Sequence, residues 1–253
     1  MRSLAVIPAR LGATRLPRKP LRLLAGAPLV VRVWQRVSDL DLADRVIVAT
    51  DSAEVADAVA AAGAECVMTR ADHASGTDRV AEVASRPEHA GVDVIVNVQG
   101  DEPFVSADAI RGATEMVSSG AFSLGTAAAR ISPTALASSN VVKVVRADDG
   151  RAMYFSRAEI PYLRDPADAT ERSCVARQHI GVYAYTPDAL AAWIALPVHP
   201  LERAERLEQL RPLAAGMAMG VALVDASPEP GIDTEEDLVN ANARWTDFIG
   251  GRT

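Results

Sequence analysis

The sequence predicts an α/β protein built on a doubly wound, mostly parallel sheet, and three observations carry that expectation. Apolar runs of strand length alternate with alanine-rich segments of helical length. The run Val94-Ile95-Val96-Asn97-Val98 is apolar almost throughout, as a strand covered on both faces must be. Polar loops follow the strands, where a parallel sheet opens to its ligand.

Taken in order, strands are expected at 4–7, 46–49, 66–68 and 92–98, with helices at 29–37, 52–62 and 78–84 between them. Beyond about residue 130 the texture changes. Segments 141–146 and 151–155 are joined through Asp148-Asp149-Gly150, a hairpin signal, and 179–185 supplies another alternating strand. We therefore expect a single domain over 1–253 with an antiparallel insertion at about 130–200, followed by a charged helix at 201–213 and a closing helix at 234–248.

Composition narrows the function. With 253 residues and 49% hydrophobic content the chain can bury a substantial core. Its net charge of -7, with no basic run outside the loop at 7–21, speaks against a nucleic-acid partner. Cys66 and Cys174 lack metal-ligand or disulfide-framework spacing. The apolar run before Pro8 is shorter than a secretory signal core, and no stretch has bilayer length, so a soluble, cytoplasmic protein without membrane insertion is expected.

Three loops carry chemistry. The loop at 7–21 concentrates Arg10, Arg15 and Lys19 around Gly12 and Pro17, positive charge suited to a polyphosphate, although a solvated basic loop would look alike. It contains neither a Walker A loop nor a dinucleotide fingerprint. Asp101 follows the 92–98 strand, with Gly100 before it permitting close approach of a ligand backbone. Asp233 could join it as a magnesium ligand, or could belong to the capping of the helix that starts with Thr234 and Asp237. The loop at 69–79 offers Ser75, Gly76 and Thr77 either to a planar base or as helix caps, and His73 reads most simply as a hydrogen-bonding group.

The motifs ARxxxTRLPxKPL, SGTDR, VNVQGDEP, VVKVV, YFSRA, HIGVYAY and GIDTxEDL occur in the order and spacing of one family, and from residue 6 to 238 the chain resembles the 3-deoxy-manno-octulosonate (KDO) cytidylyltransferases. The resemblance implies a Rossmann-like nucleotidyltransferase, a homodimer that uses its antiparallel insertion for acceptor binding and dimerisation. It implies transfer of CMP from CTP to the anomeric hydroxyl of KDO, with pyrophosphate released and magnesium required. It further implies that Lys19, Arg10 and Asp101 are catalytic, that Asp101 and Asp233 bind the metal, and that Pro8, Ala9, Arg10, Arg15, Lys19, Arg70, Ser75 and Gln99 hold the nucleotide. Arg157, His179, Tyr185, Glu208 and Gln209 are implied to bind the acceptor. Departures at Ala13, at Ser138-Ser139-Asn140 and at Tyr162 fall mostly in the acceptor half, which keeps a related 3-deoxy-2-ulosonic acid as the alternative acceptor.

Overall fold

The computed structural model describes residues 1–12, 15–225 and 228–250, so Ala13 and Thr14 of the basic loop lie outside the described residues. The first part of the chain forms β1 (Ser3–Ala9), β2 (Leu23–Leu24), β3 (Ala27–Pro28), α1 (Leu29–Asp39), β4 (Arg45–Thr50), α2 (Ala53–Ala61), β5 (Glu65–Met68), α3 (Gly76–Ala84) and β6 (Val94–Asn97). Then follow α4 (Ala107–Ser118), β7 (Leu124–Arg130), α5 (Pro133–Ala137), β8 (Lys143–Arg146), β9 (Ala152–Ser156), α6 (Ala169–Val175) and β10 (Arg177–Tyr185). The chain ends through α7 (Pro187–Ala195), α8 (Pro200–Glu205), α9 (Leu210–Ala214), β11 (Met219–Val224) and α10 (Glu235–Gly250). The architecture is α/β, mixed and mostly parallel, with helices on both sides. No helix among the described residues is long and apolar enough to cross a membrane.

Two compact units divide the chain, one formed by residues 1–105 with 229–253 and the other by 106–228. In the first, β1 is buried along its whole length and pairs in parallel with β4 on one side and β6 on the other, while β5 adds to β4. Such a strand has no solvent face, which is why the run at 4–7 reads as uninterrupted apolar sequence. The helices start where the sequence offers caps. The Ser52 hydroxyl accepts from the Val55 N–H at the head of α2, and Ser75 and Asp78 form a reciprocal capping box on α3. Helix α10 returns to this unit through Asn242, whose side-chain oxygen accepts from the Ala25 N–H at 2.8 Å. The Phe104 ring meets Phe248 edge-on at 4.8 Å and Trp245 at 5.8 Å, with the Arg32 guanidinium 5.0 Å over Trp245.

In the second unit β7 pairs in parallel with β11 and antiparallel with β10, and β8 pairs antiparallel with both β9 and β10. The β8–β9 hairpin is the one expected from Asp148-Asp149-Gly150. The unit is larger than the stretch of 130–200, because α4 packs directly on β7 and β11 and belongs with them. That close packing also explains why 124–130 is a strand despite its alanine content: only small residues let the helix approach. A Cβ on Gly125 would lie 2.2 Å from the Ala113 carbonyl oxygen.

The helix expected at 201–213 is two helices. Arg206 closes α8 in a left-handed conformation (φ 55°, ψ 47°), and α9 begins only at Leu210. The Arg211 guanidinium grips the Glu202 carboxylate through two bonds of 2.8 and 2.6 Å, a buried fork that holds α9 against α8 across the turn. Glu208 and Gln209 therefore sit in and beside that turn.

Gly125→Ala is expected to destabilise the protein by about 1–3 kcal/mol, because the clash is with backbone and cannot be relieved by a rotamer change. Thermal unfolding checks this, and an unchanged melting temperature would show that α4 does not rest on β7 as described.

Candidate active site

The loops after β1 and β6 and the segment before α10 meet at one place in the first unit. A Cβ on Gly100 would lie 2.7 Å from the Pro8 carbonyl oxygen and 3.7 Å from the Ala9 Cβ, so glycine alone lets the loop after β6 lie on the end of β1. The Ile232 N–H donates to the Asp101 carbonyl at 2.9 Å and clasps the segment before α10 to the same loop. Two aspartates far apart in sequence are thereby brought side by side.

Both aspartates face Lys19. Its Nζ donates to Asp101 Oδ2 and, at 2.8 Å, to Asp233 Oδ1, while Arg15 donates to the other oxygen of Asp233 at 2.8 Å. The Lys19 side chain is only 13% exposed. Burial works against its charge, but the two carboxylates outweigh burial and raise its pKa above the ordinary lysine value. Glu102 lies beside them, and its burial together with the charges of Asp101 and Asp233, against the opposing pull of Lys19, pushes its pKa up to about 8.

The sequence left two roles open for Asp233, and the structure separates them. The capping is done by its neighbours: the Thr234 hydroxyl accepts from the Asp237 N–H at 3.1 Å, and one Asp237 oxygen accepts from the Thr234 N–H and hydroxyl, both at 2.8 Å, and from the Asp233 N–H at 3.0 Å. The Asp233 carboxylate is left to face Lys19 and Arg15.

Of the other expected nucleotide ligands, Pro8 and Gln99 both adjoin Gly76, since a Cβ there would lie 3.3 Å from the Pro8 ring and 3.8 Å from Gln99 Oε1. The Gln99 amide donates to Asn97 Oδ1 at 3.3 Å. Arg10 is exposed. Ser75 has its hydroxyl engaged in the capping box, donating to Asp78 Oδ2 at 2.9 Å and accepting from the Asp78 N–H at 3.2 Å. Arg70 is exposed and paired with Asp72 within its own loop. His73 bonds to Glu82, which agrees with the plain hydrogen-bonding role.

In the second unit His179 bonds through Nε2 to the Thr126 hydroxyl at 2.9 Å and packs edge-on against Phe155 at 5.0 Å. Burial lowers its pKa to about 3, so the ring is neutral and works as a hydrogen-bonding group. Tyr185 requires correction: it is fully buried, packed at 5.6 Å against Trp193, and offers no surface to a ligand. Tyr183 is the tyrosine beside His179, at 5.4 Å, and burial together with the charges of Tyr185 and Glu208 raises its pKa well above the ordinary value. Strand alternation places 179, 183 and 185 on one face, and Trp193 on α7 packs edge-on against both tyrosines, at 5.6 Å from Tyr185 and 6.1 Å from Tyr183, so it is burial that separates them: Tyr185 is fully covered and Tyr183 only half-buried. Gln209 is 3% exposed and lies just before α9, and Glu208 is half-buried. The Arg157 guanidinium donates through Nε to the Glu205 carbonyl at 2.8 Å and through Nη1 to the Ser139 carbonyl at 3.2 Å. Guanidinium has five N–H donors, so among the described residues three remain for a carboxylate.

A profile of the cytidylyltransferase family matches residues 4–219. The chain is 62% identical to a 3-deoxy-manno-octulosonate cytidylyltransferase of Gemmatimonas aurantiaca over 96% of its own length and 93% of that protein's. It is 46% identical to the protein of the same name from Polynucleobacter asymbioticus over 93% of this chain and 92% of that one. Among solved structures it is similar to a CMP:2-keto-3-deoxy-manno-octonic acid synthetase complexed with CTP, with a TM-score of 0.88, 38% identity, and coverage of 98% of this chain and 99% of that one.

The neutral state of His179 has a pH signature. Its pKa is about 3 in the folded protein against about 6.5 in an unfolded chain, so on acidification the unfolded state takes the proton first. The stability it contributes is complete above about pH 6.5 and is lost as pH falls toward 3, by up to about 1.4 kcal/mol per unit. His179→Gln lacks this slope, so the unfolding free energies of wild type and variant should converge as pH falls from 7 to 5 in urea titrations. Parallel pH profiles would contradict a His179 held neutral in the folded protein.

Proposed function

Since the chain belongs to the 3-deoxy-manno-octulosonate cytidylyltransferases, we propose that it transfers CMP from CTP to the anomeric hydroxyl of KDO. The anomeric oxygen forms the new bond to the α-phosphorus, the bond to the β-phosphate oxygen breaks, pyrophosphate leaves, and the hydroxyl proton passes to solvent. The observation that carries the reading is the convergence of Asp101 and Asp233 on Lys19 beside the Pro8–Gly100 contact.

In-line displacement at phosphorus needs positioning and charge neutralisation more than a covalent nucleophile. Lys19, with one N–H beyond its two carboxylate bonds, reaches toward the triphosphate, and Arg10 and Arg15 add charge for the leaving pyrophosphate. The Pro8–Ala9 backbone and Gln99 line the place of the base. In the second unit Arg157 takes the sugar carboxylate, and His179, Tyr183 and Glu208 supply neutral and charged hydrogen-bonding groups for its hydroxyls.

The donor set suits magnesium. Two carboxylates converge within reach of one ammonium, and among the described residues no three His, Cys, Asp or Glu side chains gather as a metal cluster. Magnesium takes hard oxygen donors and commonly completes its shell from water and phosphate. Held by Asp101 and Asp233, it would supply charge neutralisation at the α-phosphate and activation of the attacking hydroxyl. The homodimer and the cytoplasmic location are part of the same proposal and rest on the family resemblance and on CTP being an intracellular nucleotide.

Pyrophosphate release from CTP with a panel of acidic sugars tests the reading. KDO should be the best acceptor, and activity confined to another 3-deoxy-2-ulosonic acid would favour that alternative; release with ATP as fast as with CTP would defeat the cytidine assignment. Lys19→Ala should lower kcat by about 10²- to 10³-fold with a smaller effect on the KM for CTP, and wild-type turnover would reduce the loop at 7–21 to a solvated turn. Asp101→Asn and Asp233→Asn should each remove most magnesium-dependent turnover, with the double variant little worse than either, as expected of residues acting as one site. Full activity in Asp233→Asn would leave that residue outside the site.

A further inference from the structure

Glu205 closes α8, where the helix carbonyls already make the local field negative and a cation would be the stabilising charge. A carboxylate in that place points to what it binds. Glu205 Oε1 accepts from the Ser156 hydroxyl at 2.6 Å, Oε2 accepts from the Arg157 N–H at 2.9 Å, and its carbonyl accepts from Arg157 Nε at 2.8 Å. One residue thus holds both the backbone and the guanidinium of Arg157.

The other side of Arg157 is held by a buried lysine. Lys143 is 0% exposed, and its Nζ donates to the carbonyls of Ser138 and Val141, each at 2.8 Å, and to the carbonyl of Arg157. That anchors the loop carrying the Ser139 carbonyl, which receives Arg157 Nη1. Arg157 is therefore fixed at its N–H, its carbonyl, Nε and Nη1 before any ligand arrives, with three guanidinium N–H groups remaining among the described residues.

We propose that Glu205 is the positioning residue for Arg157, aiming its guanidinium so that a carboxylate on the acceptor is met by a prealigned pair of donors. This rests on Arg157 being the acceptor's carboxylate ligand. Loss of the Glu205 carboxylate frees the Arg157 N–H and the Ser156 hydroxyl and leaves Arg157 held only through Nε, Nη1 and its carbonyl, so part of its ordering shifts to the moment the acceptor binds, a cost that falls on one substrate only.

Steady-state kinetics of the full-length enzyme, with KDO or CTP varied and thermal unfolding measured alongside, test the proposal. Glu205→Ala should raise the KM for KDO about tenfold and leave that for CTP unchanged. Glu205→Gln should recover most of the loss, since the amide oxygen can accept from the Arg157 N–H and its NH₂ can donate to Ser156, whereas Glu205→Asp, too short to reach both, should resemble Ala. The double variant Arg157→Ala/Glu205→Ala should be no worse toward KDO than Arg157→Ala. A Glu205→Ala that alters both KM values equally, or only the melting temperature, or whose effect adds to that of Arg157→Ala, overturns the proposal. If Glu205→Ala does not fold, the contrast between Gln and Asp decides, and equal KM values for KDO in the two overturn it. An Arg157→Ala with unchanged KM for KDO defeats the acceptor assignment itself, whereas a raised KM there with Glu205→Ala silent defeats only the positioning role.

Discussion

Two carboxylates that would repel one another are held together by the Lys19 ammonium, and the local structure of the first unit is arranged around that contact. The loop after β6 lies on the end of β1 because Gly100 has no side chain there. The Ile232 N–H ties the incoming segment to the Asp101 carbonyl, and Thr234 with Asp237 takes over the capping so that the Asp233 carboxylate is not consumed by it. The Phe104–Trp245–Phe248 cluster and Asn242 secure α10, and with it Asp233. The raised pKa of Lys19 is the electrostatic sign of this arrangement: burial works to lower it, and the two carboxylates outweigh burial.

The second unit solves a different problem, the placement of polar groups in a largely apolar surround. His179 is kept neutral by burial and tied to Thr126, while Glu202 and Arg211 neutralise each other across the turn that contains Glu208. A paired buried charge adds little net stability over an apolar pair, but removing one partner leaves the other uncompensated. The Glu202–Arg211 fork therefore makes the geometry of the turn hard to change.

Much of the fold was legible because burial and composition agree. Residues 4–7 and 46–49 lie within β1 and β4, strands apolar enough to be recognised, and the hairpin at Asp148-Asp149-Gly150 announced itself by its turn residues. Strands β7 and β11 and helix α4 were not read, since their glycines and alanines serve close helix-on-sheet packing and carry neither strong strand propensity nor clear periodicity. The break at Arg206 was hidden because the pattern of 201–213 suits a helix throughout, and only the left-handed residue and the Glu202–Arg211 fork reveal the turn. Within the site, Lys19 stood out through the charge of its loop and Asp101 through charge beside glycine at a strand end, whereas the residues around Asp233 suited a ligand and a helix cap alike, and the family resemblance implied the ligand. Tyr183 and Glu205 did not, because what marks them is tertiary: packing buries Tyr185 completely and leaves Tyr183 half-buried, and the Glu205 carboxylate binds a strand end distant in sequence.

The most direct test of a shared cation seat at Asp101 and Asp233 is calorimetric titration of CTP with and without magnesium, in wild type and in Asp233→Asn. Wild type should bind CTP markedly tighter with magnesium, and Asp233→Asn should lose most of that gain while its magnesium-free affinity changes little. A magnesium gain in Asp233→Asn as large as in wild type would contradict the pairing of the two aspartates as one site.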